Sequence, residues 1–63
     1  MNELLLLKLR AAIVQKEGYV ACANQQLNQG GWLCDWQSYF RESDEVIQGI
    51  VHEIEEERRK AAQ

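Results

Sequence analysis

The strongest constraint on this 63-residue chain is a pair of apolar ladders on either side of Gly30-Gly31. Before the glycines, Leu6, Leu9, Ile13, Lys16, Val20, Ala23 and Leu27 recur at alternating steps of three and four; after them, Leu33, Trp36, Phe40, Ser43, Ile47, Ile50 and Ile54 do the same. That spacing places each set on one stripe of an α-helix, the seam of a coiled-coil-like contact. No proline removes a backbone donor from either run, and most of the remaining residues are good helix formers. The fold class read from this pattern is all-α: an antiparallel helical hairpin with a helix over about 2–29, a turn at Gly30-Gly31 and a helix over about 32–61, forming a single domain over 1–63.

Local signals agree with that outline. Asn2 is a good N-cap, and Glu3 sits where the helix dipole favours a carboxylate. Gly18 is the weak point of the first helix, since a glycine in a helix interior costs about 1 kcal/mol relative to alanine, yet Ile13, Lys16, Val20 and Ala23 keep phase across it. Gly30 suits the left-handed conformation that closes a helix. In the second half, Ser43-Asp44-Glu45 could cap a fresh helix and introduce a kink; a continuous helix keeps the same apolar face. A turn centred between the glycines makes opposing residue numbers sum to about 61. Leu27 then meets Leu33, Val20 meets Phe40, Ile13 meets Ile47, Leu9 meets Ile50, and Leu6 meets Ile54. The exception is the level of Lys16, which faces Ser43 and Asp44. It either forms one polar layer that fixes register or, as the simpler reading has it, carries its ammonium to solvent over a packed stem.

A chain this short buries a modest fraction of its surface alone, and small scaffolds need added support of some kind. The support this sequence offers is self-association. Two hairpins pairing into a four-helix bundle would enclose both ladders, with Leu6, Leu9, Ile13, Val20, Leu27, Leu33, Trp36, Phe40, Ile47, Ile50 and Ile54 as the dimer core.

The charge pattern narrows the partners. The net charge is −3; residues 18–34 carry no charge, and most acids lie from Asp35 onward. No basic stripe of the kind that tracks phosphates is present, so nucleic acid is a disfavoured partner. No apolar run reaches membrane-spanning length, and the first residues lack the basic leader of a signal peptide, so a cytoplasmic protein with reduced thiols is expected. Cys22, Cys34 and His52 are the soft metal ligands available, too few and too scattered for a structural zinc site; the cysteines read as packed small apolar residues and His52 as solvated surface. With no nucleophile–base pair and no phosphate-cradling loop, neither an enzyme nor a bound cofactor is expected. The run Glu53, Glu55, Glu56, Glu57 reads as a solvated acidic face that could meet a basic partner. Tryptophan and tyrosine favour interface centres, and Trp32 and Tyr39 flank the apolar stripe. They, with Glu53, Glu56 and Glu57, are the candidate contacts for a protein partner.

The opening MNELLLLKLRAA and the segment GGWLCDWQSYFRES resemble a short reading frame of a lambdoid bacteriophage. More narrowly, the chain resembles the small accessory proteins encoded between the exonuclease and excisionase genes. The resemblance implies an early-expressed, non-enzymatic, all-helical protein that alters host physiology or the lysis–lysogeny choice by binding host factors. The expected function is therefore a homodimeric, protein-binding modulator. The alternative is a small nucleic-acid-binding regulator using a basic end, Lys8 and Arg10 beside Arg58, Arg59 and Lys60, doubled by dimerisation.

Overall fold

A computed structural model describes residues 3–62 and shows a helical hairpin: α1 (Glu3–Asn28) runs to a loop over 29–35, and α2 (Trp36–Ala62) returns along it. The N-cap expected at Asn2 lies outside the described residues. The rod measures 54 × 17 × 11 Å between Cα atoms, with a radius of gyration of 15.3 Å, against about 11 Å for a compact globule of this length. α1 passes through Gly18 and α2 through Ser43 without a break, so the phase of the apolar pattern outweighs the local glycine and serine signals.

The end of α1 is closed by a Schellman arrangement. Gly31 N–H donates to the Gln26 carbonyl at 2.9 Å and Gly30 N–H to the Leu27 carbonyl at 3.4 Å. Both glycines adopt positive φ, 130° and 136°, a region costly for residues with a Cβ. The expected turn is thus in place, but the second helix does not start at Trp32. Residues 32–35 are non-helical, and α2 begins at Trp36 behind Asp35. The Asp35 carboxylate accepts from the Ser38 N–H at 3.3 Å and from the Ser38 hydroxyl at 2.6 Å, which is N-capping geometry. These Ser38 bonds, the hydroxyl foremost, hold the Asp35 carboxyl below the usual carboxylate range. A lowered folded pKa stabilises the fold above the ordinary Asp value and loses that contribution as pH falls through the folded value. Asp35→Ala is therefore expected to lower the melting temperature near neutral pH and to narrow the gap on acidification below about pH 4, read by thermal circular dichroism at several pH values.

The helices meet along a seam of mostly small or half-buried residues. On α1 it runs Leu5, Leu9, Ala12, Lys16, Tyr19, Ala23, Gln26; on α2 it runs Trp36, Phe40, Ser43, Ile47, Ile50, Ile54. Leu5, Ala12, Ala23, Trp36 and Ser43 are the buried members, with Ala23 only 2 % exposed. The α2 ladder is the expected one, apart from Leu33, which falls in the loop and is 86 % exposed. The α1 ladder is rotated. Leu6, Ile13, Val20 and Leu27, which were to face α2, lie on its outer flank, and Leu5, Ala12, Tyr19 and Gln26 take their places. Both columns have heptad spacing and share Leu9, Lys16 and Ala23. Small residues at 12, 23 and 43 let the helices approach closely, and that outweighs the greater area of the aliphatic column. The register is close to that expected: Lys16 pairs with Asp44, Tyr19 packs on Tyr39, and Gln26 reaches Trp36.

Candidate functional site

All the aromatic residues of the chain gather in the loop-proximal half of the rod. Trp36 is the hub. Its ring lies 6.0 Å from Tyr19, 5.4 Å from Tyr39 and 6.4 Å from Phe40, the last nearly parallel. Tyr19 and Tyr39 approach to 5.3 Å, and Trp32 meets Phe40 edge-on at 6.4 Å. Tilted and edge-on contacts of this kind contribute about 0.5–1.5 kcal/mol each beyond area burial. One polar atom orients the cluster. Gln26 Oε1 accepts from the Trp36 indole N–H at 2.8 Å and from the Leu33 backbone N–H at 3.0 Å, tying the end of α1, the loop and the start of α2 together. Farther from the loop, the Gln15 amide donates to the Tyr19 hydroxyl at 3.0 Å.

The seam divides the lengthwise surface of the hairpin into two sides. One holds a groove lined by Ala12, Gln15, Tyr19, Tyr39, Glu42, Ser43 and Val46. The other carries the Lys16–Asp44 ion pair, with Gln37, Phe40, Arg41, Glu45 and Gln48 around Asp44 on the outer flank of α2. Lys16 thus finds a carboxylate rather than only solvent. The side chains of the pair are 34 % and 56 % exposed, and pairs at such a wet edge are worth roughly 0–1 kcal/mol.

The residues expected at a dimer core divide into three groups. Trp36 is buried inside the hairpin; Leu9, Phe40, Ile47, Ile50 and Ile54 are half-buried in the seam; Leu6, Ile13, Val20 and Leu27 are exposed beside it, as is Leu33 in the loop. Of the expected partner contacts, Trp32 and Tyr39 are 39 % and 42 % exposed despite their ring contacts, whereas Glu53, Glu56 and Glu57 lie at the opposite end of the rod. Glu56 accepts from Arg59 at 3.2 Å and lies 3.8 Å from His52, so the acidic run is partly answered within its own helix. The aromatic and acidic candidates therefore form separate surfaces. The basic residues considered for the alternative reading, Lys8, Arg10, Arg58, Arg59 and Lys60, are all exposed towards the open end of the hairpin, where Arg59 is held by Glu56.

Cys22 and Cys34 correct the expectation of packed thiols. Both are free and exposed, Cys22 on the flank of α1 and Cys34 in the loop. Among the described residues no group of His, Cys, Asp and Glu is placed to hold a metal ion, and no helix is long and apolar enough to cross a membrane. Gln26 is the member of the aromatic site that the periodicity misses, because it occupies a seam position by hydrogen bonding and not by apolar area. No protein-family model, no curated protein and no solved structure matches the chain.

Proposed function

We infer that this chain is a non-enzymatic protein-interaction module, a homodimer that modulates a second protein. One observation carries the reading. The hairpin exposes 5051 Å², whereas a globular monomer of 7.3 kDa exposes about 4,200 Å² by the usual mass scaling. The excess of roughly 900 Å² is what one partner contributes to a standard protein–protein interface, about 800 Å². Much of the surface is aliphatic: Leu4, Leu6, Leu7, Ile13, Val14, Val20 and Leu27 of α1 are all exposed. Sedimentation equilibrium at micromolar concentration is expected to return twice the protomer mass; a 7.3 kDa species persisting to millimolar concentration overturns the homodimer.

The tryptophan at the loop is the residue best suited to the interface rim or to the second partner. Its ring is braced by Phe40 yet remains accessible, as interface tryptophans are. The resemblance to accessory proteins of lambdoid phages makes a host regulatory protein the class of target. Trp32→Ala is expected to weaken association by about 10–100-fold, the effect of truncating an interface tryptophan, with helical content retained because Trp32 lies outside both helices. Unchanged sedimentation and unchanged recovery of the target by affinity capture would remove Trp32 from the contact surface.

A further inference from the structure

α1 has two columns it could turn towards α2, and the more aliphatic one faces outward. Leu6, Ile13, Val20 and Leu27 remain 38–55 % exposed, while Leu5, Ala12, Tyr19 and Gln26 occupy the seam. By area alone the outward set is the better one to bury. The outward column adjoins Lys16 and so opens on the side of the seam that carries the Lys16–Asp44 pair. On that side α2 adds Phe40, Ile47, Val51 and Ile54, all half-buried. The opposite side is more polar, with Gln15, Glu42 and the two tyrosines beside Val46.

We propose that the Lys16–Asp44 side is covered by a second copy of this chain, with α1 of each protomer lying against α2 of the other and both loops at one end of the four-helix bundle. This rests on the homodimer reading above and adds the face and the orientation. The area left over by the hairpin matches one partner's share of a standard interface, so a single face of this kind satisfies the requirement. Register favours the orientation. The Lys16–Asp44 and Gln26–Trp36 contacts put residues whose numbers sum to about 60 at one level of the rod. With the loops together, Leu6 of one copy comes to the level of Ile54 in the other, Ile13 to Ile47 and Val20 to Phe40. Charge favours it as well. Loops at opposite ends would lay α1 on α1 and bring Lys16 towards its own counterpart, a like-charge contact that loses energy. With the loops together, Lys16 meets Asp44 of the other copy, and the two ion pairs merge into one four-group layer. A polar layer enclosed in this way fixes register at a cost in stability.

The test uses the full chain. Val20→Glu places a charge in the face, where burial without a partner is costly, and is expected to raise the dimer dissociation constant at least about 100-fold while circular dichroism still shows helix. Val46→Glu, on the other side of the seam, is expected to leave it within about threefold, as an exposed substitution away from the contact should. A dimer that survives Val20→Glu and is lost with Val46→Glu overturns the face. Orientation is read without touching the face, by a spin label on Cys34 in the Cys22→Ser background. Loops at one end place the labels within about 25 Å across a four-helix bundle, whereas opposed loops hold them about 35 Å or more apart by helix rise, and that longer distance overturns the orientation. A wild-type chain that is monomeric throughout fails at the earlier step, the homodimer itself.

Discussion

Trp36→Ala is expected to unfold the hairpin at room temperature. Truncating a buried tryptophan costs about 3–5 kcal/mol, and a core of this size rarely supplies more than about 3–5 kcal/mol in total. Three features put Trp36 at the upper end of that range. Its side chain is the largest of the buried set, at 9 % exposure. It touches Tyr19, Tyr39 and Phe40, so its loss leaves three rings without a common neighbour. Its indole N–H satisfies Gln26, whose carbonyl oxygen would lose one of its two donors. Trp36→Phe separates these contributions: it keeps ring packing and most of the area, loses the donor, and is expected to retain a cooperative melt at reduced temperature. Thermal circular dichroism decides the matter, and a Trp36→Ala chain melting within a few degrees of the parent would show that the cluster does not hold the helices together.

How much of this was legible in the sequence depends on which interaction sets each feature. The length of α1, its passage through Gly18 and its closure at Gly30 follow from periodicity and from the one residue type that tolerates positive φ, and the structure has all three. The α2 ladder was also legible, because its apolar positions stand in a charged helix and only one face is available. α1 is different. Apolar residues surround much of it, so two neighbouring columns, 5/12/19/26 and 6/13/20/27, satisfy the same heptad step. The choice between them is made by shape, the close approach allowed by Ala12, Ala23 and Ser43, and a one-dimensional pattern carries no shape. The start of α2 is not set by periodicity, for a related reason. The apolar pattern continues back through Trp32 and Leu33, but a local competition between helix and loop is decided by Asp35, which caps, and by Gln26, which takes the Leu33 N–H. The Asp35 signal was present in the sequence as a good N-cap residue three positions before Ser38; the Gln26 contact, seven residues from Leu33 and ten from Trp36, was not. The same limit applies to the candidate surface. Trp32 and Tyr39 could be named from residue type, but their separation from Glu53, Glu56 and Glu57 follows from their placement along the rod.

The Gln26 bonds therefore make the second large prediction. Gln26→Leu is expected to destabilise the hairpin by about 2–3 kcal/mol, because it removes two hydrogen bonds at once and strands a part-buried indole N–H. The added apolar area of leucine does not restore this, since the site is defined by two donors converging on one oxygen. Loss at this position is expected to be local first: the loop over 29–35 and the first turn of α2 should lose amide protection before the far ends of the helices do, which hydrogen exchange resolves residue by residue. Gln26→Glu is the informative companion. A carboxylate can accept both N–H groups, so this variant should recover most of the loss at neutral pH. Those bonds favour the ionised form and place its folded pKa below the unfolded value of about 4.3, so the charge-assisted part of the recovery is complete above that pH and is lost as pH falls through the folded value, leaving the neutral carboxyl oxygen to accept as the glutamine oxygen does. A Gln26→Glu chain with no such acid dependence, or a Gln26→Leu chain as stable as the parent, would show that the oxygen at position 26 does not anchor the turn. The start of α2 would then rest on the Asp35 cap alone, and Asp35→Ala would become the variant that releases it.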